Sequence, residues 1–192
     1  MKNACLIPAI LLLGACGGNS DTTAPPEDAA AAGTTAAPVD EIPAATPATP
    51  TDAAGYVAKA GAGDLWEIES SRALLAKSSD AEIRKFAQMM IDQHGQSTAK
   101  IEAAASGAGV DAAAPKLDAD QQKMLGEIKA ADAAGIDAVY LAHQRSAHER
   151  ALALHKAYAA NGDTVPLRKA AAEIVPVVET HRARLDKLAG AR

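Results

Sequence analysis

The sequence predicts an all-α fold: a bundle of four long helices with one extra short helix, preceded by a disordered tether. Three observations carry this. Apolar residues recur at helical spacing over several segments of more than about twenty residues. No stretch shows strand-like alternation or a strand-sized cluster of β-branched residues. Glycine and proline fall mostly between the helical segments, where they punctuate rather than interrupt.

The first helix is expected from about Asp52 to Ser78, with Val57, Ala58, Leu65, Ile68, Leu75 and Ala76 facing inward. Glycines at 55, 61 and 63 weaken its first half. Ser79-Asp80-Ala81-Glu82 has the pattern of a capping box and starts a second helix after almost no loop, which makes the first two helices antiparallel neighbours. This second helix runs to about Ser106, with Ile83, Phe86, Ala87, Met90, Ser97 and Ile101 inward, and ends near Gly107. After a looser connection, Ala108–Lys116, a short helix spans about Asp118–Ala131, with a second capping box from Asp118 and Gln121.

Gly135 marks a break before the central segment, Ile136–Tyr158. At about 100° per residue, Tyr140, Leu141, Ala147, Ala151, Leu152, Leu154 and Tyr158 share one arc, and Arg145, Ser146, Glu149, Arg150 and Lys156 lie opposite. Asn161-Gly162-Asp163 closes that helix. The last helix, about Thr164–Leu188, places Leu167, Ala170, Ile174, Val177, Leu185 and Leu188 on one face, with a kink expected at Pro176. Aromatic residues are scarce and alanine abundant, so close helix packing around small side chains is expected.

Ahead of the domain, residues 1–16 read as a lipoprotein signal peptide. A short apolar run leads to Leu13-Gly14-Ala15-Cys16, which matches the bacterial motif whose cysteine becomes lipidated. The partner this implies is a membrane, reached through the lipid anchor on Cys16. The residue after it is Gly17, not an aspartate that signals inner-membrane retention, so the expected location is the outer membrane, facing the periplasm, in a Gram-negative cell. With Cys5 removed and Cys16 acylated, no thiol remains for a disulfide or a zinc-thiolate site. Residues 17–51, rich in Ala, Thr and Pro, cannot bury enough surface to offset their ordering entropy and form the tether, which reaches about 120 Å at most.

Residues 52–192 form the helical-bundle domain. The five charges of the linker (Asp21, Glu27, Asp28, Asp40 and Glu41) are all acidic. Setting them and Lys2 aside from totals of 24 acidic and 19 basic residues leaves 19 against 18. A domain so close to neutral has no basic stripe for nucleic acid and no polybasic patch for anionic lipid. A protein partner is not specified by the sequence.

Polar residues on apolar arcs are the candidate site. His94 is central on the second helix's arc, His148 on the central helix's, and His181 on the last helix's; Glu69 and Arg72 fall inside the first helix's arc. Asp137, Gln144 and His155 share the apolar arc of the central helix with His148. His94 lies 15 residues after Ser79 and His148 lies 14 before Gly162, so both are near mid-height; His181 and Glu69 are each about five residues, some 7–8 Å, off that level. Two roles stay open for a cluster of Glu69, His94, His148 and His181. One is a His-rich site for a transition metal ion, with no cofactor established. The other is a buried hydrogen-bond network, with Glu69 paired to Arg72 and the histidines bonded to Asp137, Gln144 and Tyr140. Di-metal carboxylate bundles use Glu-x-x-His pairs, whereas here Ile91, Arg145 and Val178 stand three before the histidines. No nucleophile pairs recognisably with these histidines, and no catalytic residue is assigned. His143 falls on the polar side.

Together, Glu67-Ile68-Glu69, Phe86-Ala87-x-Met89-Met90-Ile91-Asp92-x-His94, Asp137-x-x-Tyr140-Leu141-x-x-Gln144-x-x-x-His148 and Ile174-x-Pro176-x-x-x-x-His181 resemble a family of exported bacterial proteins, domain of unknown function 4142. The resemblance runs from about Gly55 to Leu188 and implies a ferritin-like up-down four-helix bundle in the cell envelope. It implies no activity. One departure is Gln93, where the family usually has Asp directly before the histidine, with Asp92 displaced by one. The expected role is non-enzymatic, a binding or envelope-stress function. The alternatives are a metal-binding or metal-dependent redox protein built on the His-rich core, and a partner-binding module marked by an exposed apolar patch.

Overall fold

The computed structural model describes residues 49–190; the signal segment, Cys16 and the linker up to residue 48 lie outside the described residues. Five helices follow in order: α1 (Ala53–Leu75), α2 (Ala81–Gly107), α3 (Ala119–Ala130), α4 (Ile136–Asn161) and α5 (Val165–Gly190). No strand occurs among the described residues, and none of their helices is long and apolar enough to cross a membrane.

Local chemistry explains the helix ends. Asp52 and Asp80 cap α1 and α2 through side-chain oxygens that accept from Gly55 N and from Glu82 N and Ile83 N, so Asp80 rather than Ser79 opens α2. The expected capping box at Asp118 and Gln121 is present at the start of α3, with both reciprocal bonds formed. Beyond α2, Gly109 adopts φ +68° while its N–H bonds Ser106 O and that of Val110 bonds Ala105 O. This is a Schellman stop, available because glycine has no Cβ to clash there. Gly162 closes α4 for a different reason. Its backbone is extended (φ −61°, ψ 149°), but a Cβ there would meet the Tyr158 ring at 2.6 Å. α5 continues through Pro176, and Thr180 Oγ1 donates to the Pro176 carbonyl at 2.9 Å.

The four long helices form a ring in which α1 touches α2 and α4, and α5 touches the same two. Ala53 N donates to Asp163 Oδ2 beside the end of α4, and Ser71 meets Tyr140 near its start, so α1 and α4 are antiparallel. The ion pairs Arg184–Glu82 and Lys100–Glu173 set α5 antiparallel to α2. The order is therefore up, down, down, up, not a simple alternation. The chain returns between α2 and α4 by one long crossover containing α3, the connectivity of ferritin-like bundles. The crossover lies on α1. Pro115 approaches Gly61, where a Cβ would come within 3.2 Å; Trp66 Nε1 donates to Gln121 O; and Lys77 Nζ donates to the carbonyls of Lys129 and Ala131.

This packing corrects the expected inner face of α1. Its inward stripe is Tyr56, Ala60, Asp64, Glu67, Ser71 and Leu74, all buried; of the residues expected inward Val57 is buried, whereas Ala58 and Ala76 are exposed and Leu65, Ile68 and Leu75 are half-buried. Because α2, α3 and α4 all pack on α1, its apolar residues are spread round the helix and mark no single arc. On α5, Val178 rather than Val177 points inward.

Candidate metal centre in the bundle core

His94 on α2, His148 on α4 and His181 on α5 are brought together at mid-bundle, 5, 0 and 1 % exposed. Their ring centroids are 5.2–5.7 Å apart, and one ring nitrogen from each lies within 4.8 Å of the others. The five-residue height offset of His181 does not separate it from the other two.

Each ring is held by a bond to its outer nitrogen. His94 Nδ1 donates to Asp64 Oδ1 at 2.7 Å, and Asp64 Oδ2 accepts from Thr98 Oγ1 at 3.1 Å. His148 Nδ1 donates to the Gln144 carbonyl one turn earlier, at 2.9 Å, and lies 3.3 Å from Glu67 Oε1. His181 Nε2 donates to Gln93 Oε1 at 2.5 Å. All of these partners are oxygen acceptors, so they fix the tautomers. Each neutral ring is left with a lone pair on the other nitrogen: His94 Nε2, His148 Nε2 and His181 Nδ1. His94 Nε2 is buried with no partner, and the other two face each other at 3.2 Å. Two lone pairs at that distance repel unless a proton or a metal ion lies between them.

Electrostatics favour the neutral form of two rings. Burial holds His148 below its ordinary pKa against the pull of Glu67. His181 is lowered to about 3 by burial and then by its histidine neighbours. At His94 burial also pushes down, but the hydrogen bond to Asp64 and the charges of Glu67 and Asp64 together outweigh it and raise the pKa.

The remaining candidates divide. Gln144 is fully buried; its Nε2 donates to Glu67 Oε2 at 2.5 Å and Ser70 Oγ at 3.2 Å, and its Oε1 has no partner. Tyr140 bonds Ser71 at 2.8 Å rather than a histidine. His155 pairs with the Tyr56 hydroxyl at 3.0 Å, in a layer about 10 Å along α4 from His148. Asp137 is half-buried in the first turn of α4, 11 residues from His148 and thus in neither layer.

Two expectations are overturned. Glu69 and Arg72 do pair, at 2.8 Å, but on the surface, with side chains 34 and 61 % exposed, and so belong to neither a ligand set nor a core network. The core carboxylates of α1 are Asp64 and Glu67, which apolar periodicity did not identify as site residues. Gln93 also escaped assignment. The signal that finds the carboxylates is the i, i+4, i+8, i+11 row of Tyr56, Ala60, Asp64 and Glu67, which runs on to Ser71 and Leu74. His143 pairs with Glu127 of α3 at 2.8 Å, away from the cluster.

Among known families, the sequence model described as Domain of unknown function (DUF4142) matches residues 37–188. No curated protein and no solved structure matches the chain.

Proposed function

The chain belongs to the DUF4142 family, and we propose that it is a metal-binding protein that holds one transition-metal ion on His94, His148 and His181. The observation that carries this is the set of three inward lone pairs, each left over because the outer nitrogen of its ring is committed to Asp64, Gln144 or Gln93. A tetrahedral ion with bonds of about 2.0–2.1 Å needs nitrogens about 3.3 Å apart. The His148–His181 pair is at 3.2 Å, and with the other two separations at the 4.8 Å limit an ion equidistant from all three nitrogens lies about 2.5 Å from each. Small ring rotations close that difference. Three imidazoles suit zinc, copper, nickel or iron, and the absence of Glu-x-x-His pairs disfavours a di-iron centre.

Burial of all three rings favours holding an ion over turning over a bulky substrate, so the role we propose is binding rather than catalysis. A partner-docking role has less support. The exposed large apolar side chains among the described residues are Val165 and Val177, separated by about 18 Å of α5, too far apart for one patch. With lipidation at Cys16, the bundle would carry its ion in the cell envelope, tethered to the outer membrane.

The test is the metal content of the full chain, purified without chelators or a His tag, with thermal unfolding in added zinc, copper, nickel, iron and manganese. Near-stoichiometric metal and a rise in midpoint, both abolished in His94→Ala and His148→Ala, are expected. Metal-free protein with no shift for any ion would reduce the cluster to a structural network.

A further inference from the structure

Taking the three-histidine metal site above as its premise, we infer that Asp64 and Glu67 make it selective for a divalent over a monovalent cation, acting as buried counter-charges one bond behind the ligands. Both side chains are nearly inaccessible, at 4 and 2 % exposure. Both are surrounded by donors. Asp64 accepts on one oxygen from His94 Nδ1 and on the other from Thr98 Oγ1. Glu67 accepts on one oxygen from Gln144 Nε2 and faces His148 Nδ1 with the other.

Two carboxylates are thus held in the core, and their described partners are amide, hydroxyl and imidazole groups rather than a lysine or arginine. The arginines and lysines paired on these helices serve surface carboxylates: Arg72 with Glu69, Lys100 with Glu173, Arg145 with Asp186 and Lys156 with Glu179. Burying uncompensated charge is costly. With three neutral imidazoles, a divalent ion makes the core neutral, whereas a monovalent ion leaves one negative charge. Both carboxylates face ligand rings, and a carboxylate behind an imidazole N–H raises the basicity of the nitrogen opposite. Attraction to a fixed negative charge scales with the charge of the ion, so removing one carboxylate must weaken a divalent ion more than a monovalent one of the same element.

Copper separates these effects because both oxidation states can be presented. Cu2+ and Cu+ dissociation constants of the full chain are measured by competition against chelators of known affinity, for wild type, Glu67→Gln and Asp64→Asn. Zn2+ serves as a redox-inert control, and circular dichroism as the check on folding. Loss of a carboxylate behind a ligand typically costs 10- to 100-fold in affinity. The expected result is a loss of that order for Zn2+ and Cu2+ and a smaller one for Cu+. The ratio of the Cu2+ to the Cu+ dissociation constant then rises about three- to tenfold in whichever variant keeps its helical signal. A ratio within twofold of wild type in a folded variant that still binds zinc overturns the counter-charge role and leaves the metal site standing. A wild-type chain that binds neither zinc nor copper sinks the metal site and this inference with it. If both variants unfold, the ratio is read from Glu67→Asp, which keeps the charge and should stay near wild type; a rise of the size expected for the other variants would show that position rather than charge sets selectivity.

Discussion

His155 should make the metal-free protein acid-sensitive by an amount that follows from its surroundings. The ring is 3 % exposed and pairs with the Tyr56 hydroxyl; burial, opposed by Asp64 and reinforced by His94, lowers its pKa from an ordinary 6.5 to about 4. Between those values the unfolded chain binds a proton that the folded chain refuses, so stability rises with pH across that window. The contribution is fully present above about pH 6.5 and is lost as the pH falls toward 4. At 1.36 kcal/mol per unit, the whole window is worth on the order of 3 kcal/mol, of which roughly 2 kcal/mol is lost between pH 7 and 4.5. Urea unfolding of the chelator-treated protein at those two pH values, for wild type and His155→Gln, isolates this share. The glutamine amide can still pair with Tyr56, and it does not titrate. The variant should lose roughly 2 kcal/mol less than wild type on acidification, whatever its absolute stability. Equal losses in the two proteins would refute the account of a buried, neutral His155.

Further outcomes follow from the packing. Glu69→Ala should leave metal affinity unchanged and shift stability by less than about 0.5 kcal/mol, because its pair with Arg72 is on the surface; isothermal titration with Zn2+ and urea unfolding check both. Gly162→Ala should destabilise by about 1–3 kcal/mol, since the added Cβ meets the Tyr158 ring that stacks on Tyr56 at 3.9 Å. Trp66, the single tryptophan, is buried under the crossover and should resist iodide quenching. Asp118→Ala, by removing the cap of α3, should cost about 1 kcal/mol in helix stability and speed hydrogen exchange along the crossover.

Legibility in the sequence followed the number of neighbours each helix has. On α2, every residue expected inward (Ile83, Phe86, Ala87, Met90, Ser97 and Ile101, with His94 among them) is buried. On α4, Tyr140, Leu141, Gln144, His148, Leu152, His155 and Tyr158 are buried, while Asp137, Ala147, Ala151 and Leu154 of the same expected arc are half-buried. On α1 the same method found Val57, which is buried, and missed the rest of the inner face. Three packed neighbours distribute its apolar residues, and the row that does face the core contains Asp64, Glu67 and Ser71, which an apolar pattern discards. The error on Glu69 has this cause. Two residues from Glu67, it is turned about 200° away on the helix.

By itself the sequence determined the five helices, the capping box of α3 and the presence of a histidine on the inner face of each of α2, α4 and α5, because helical periodicity and capping are local properties of the chain. Only the tertiary structure decided that the long connection is a crossover, that His181 meets the other two histidines despite its offset, and that Asp64 and Glu67 stand behind the rings. These depend on helix register and on contacts such as His94–Asp64 and His148–Glu67, across 30 and 81 residues of sequence. The same contacts fix which ring nitrogens face inward. No local pattern encodes that choice, because each acceptor's position is set by how the helices pack.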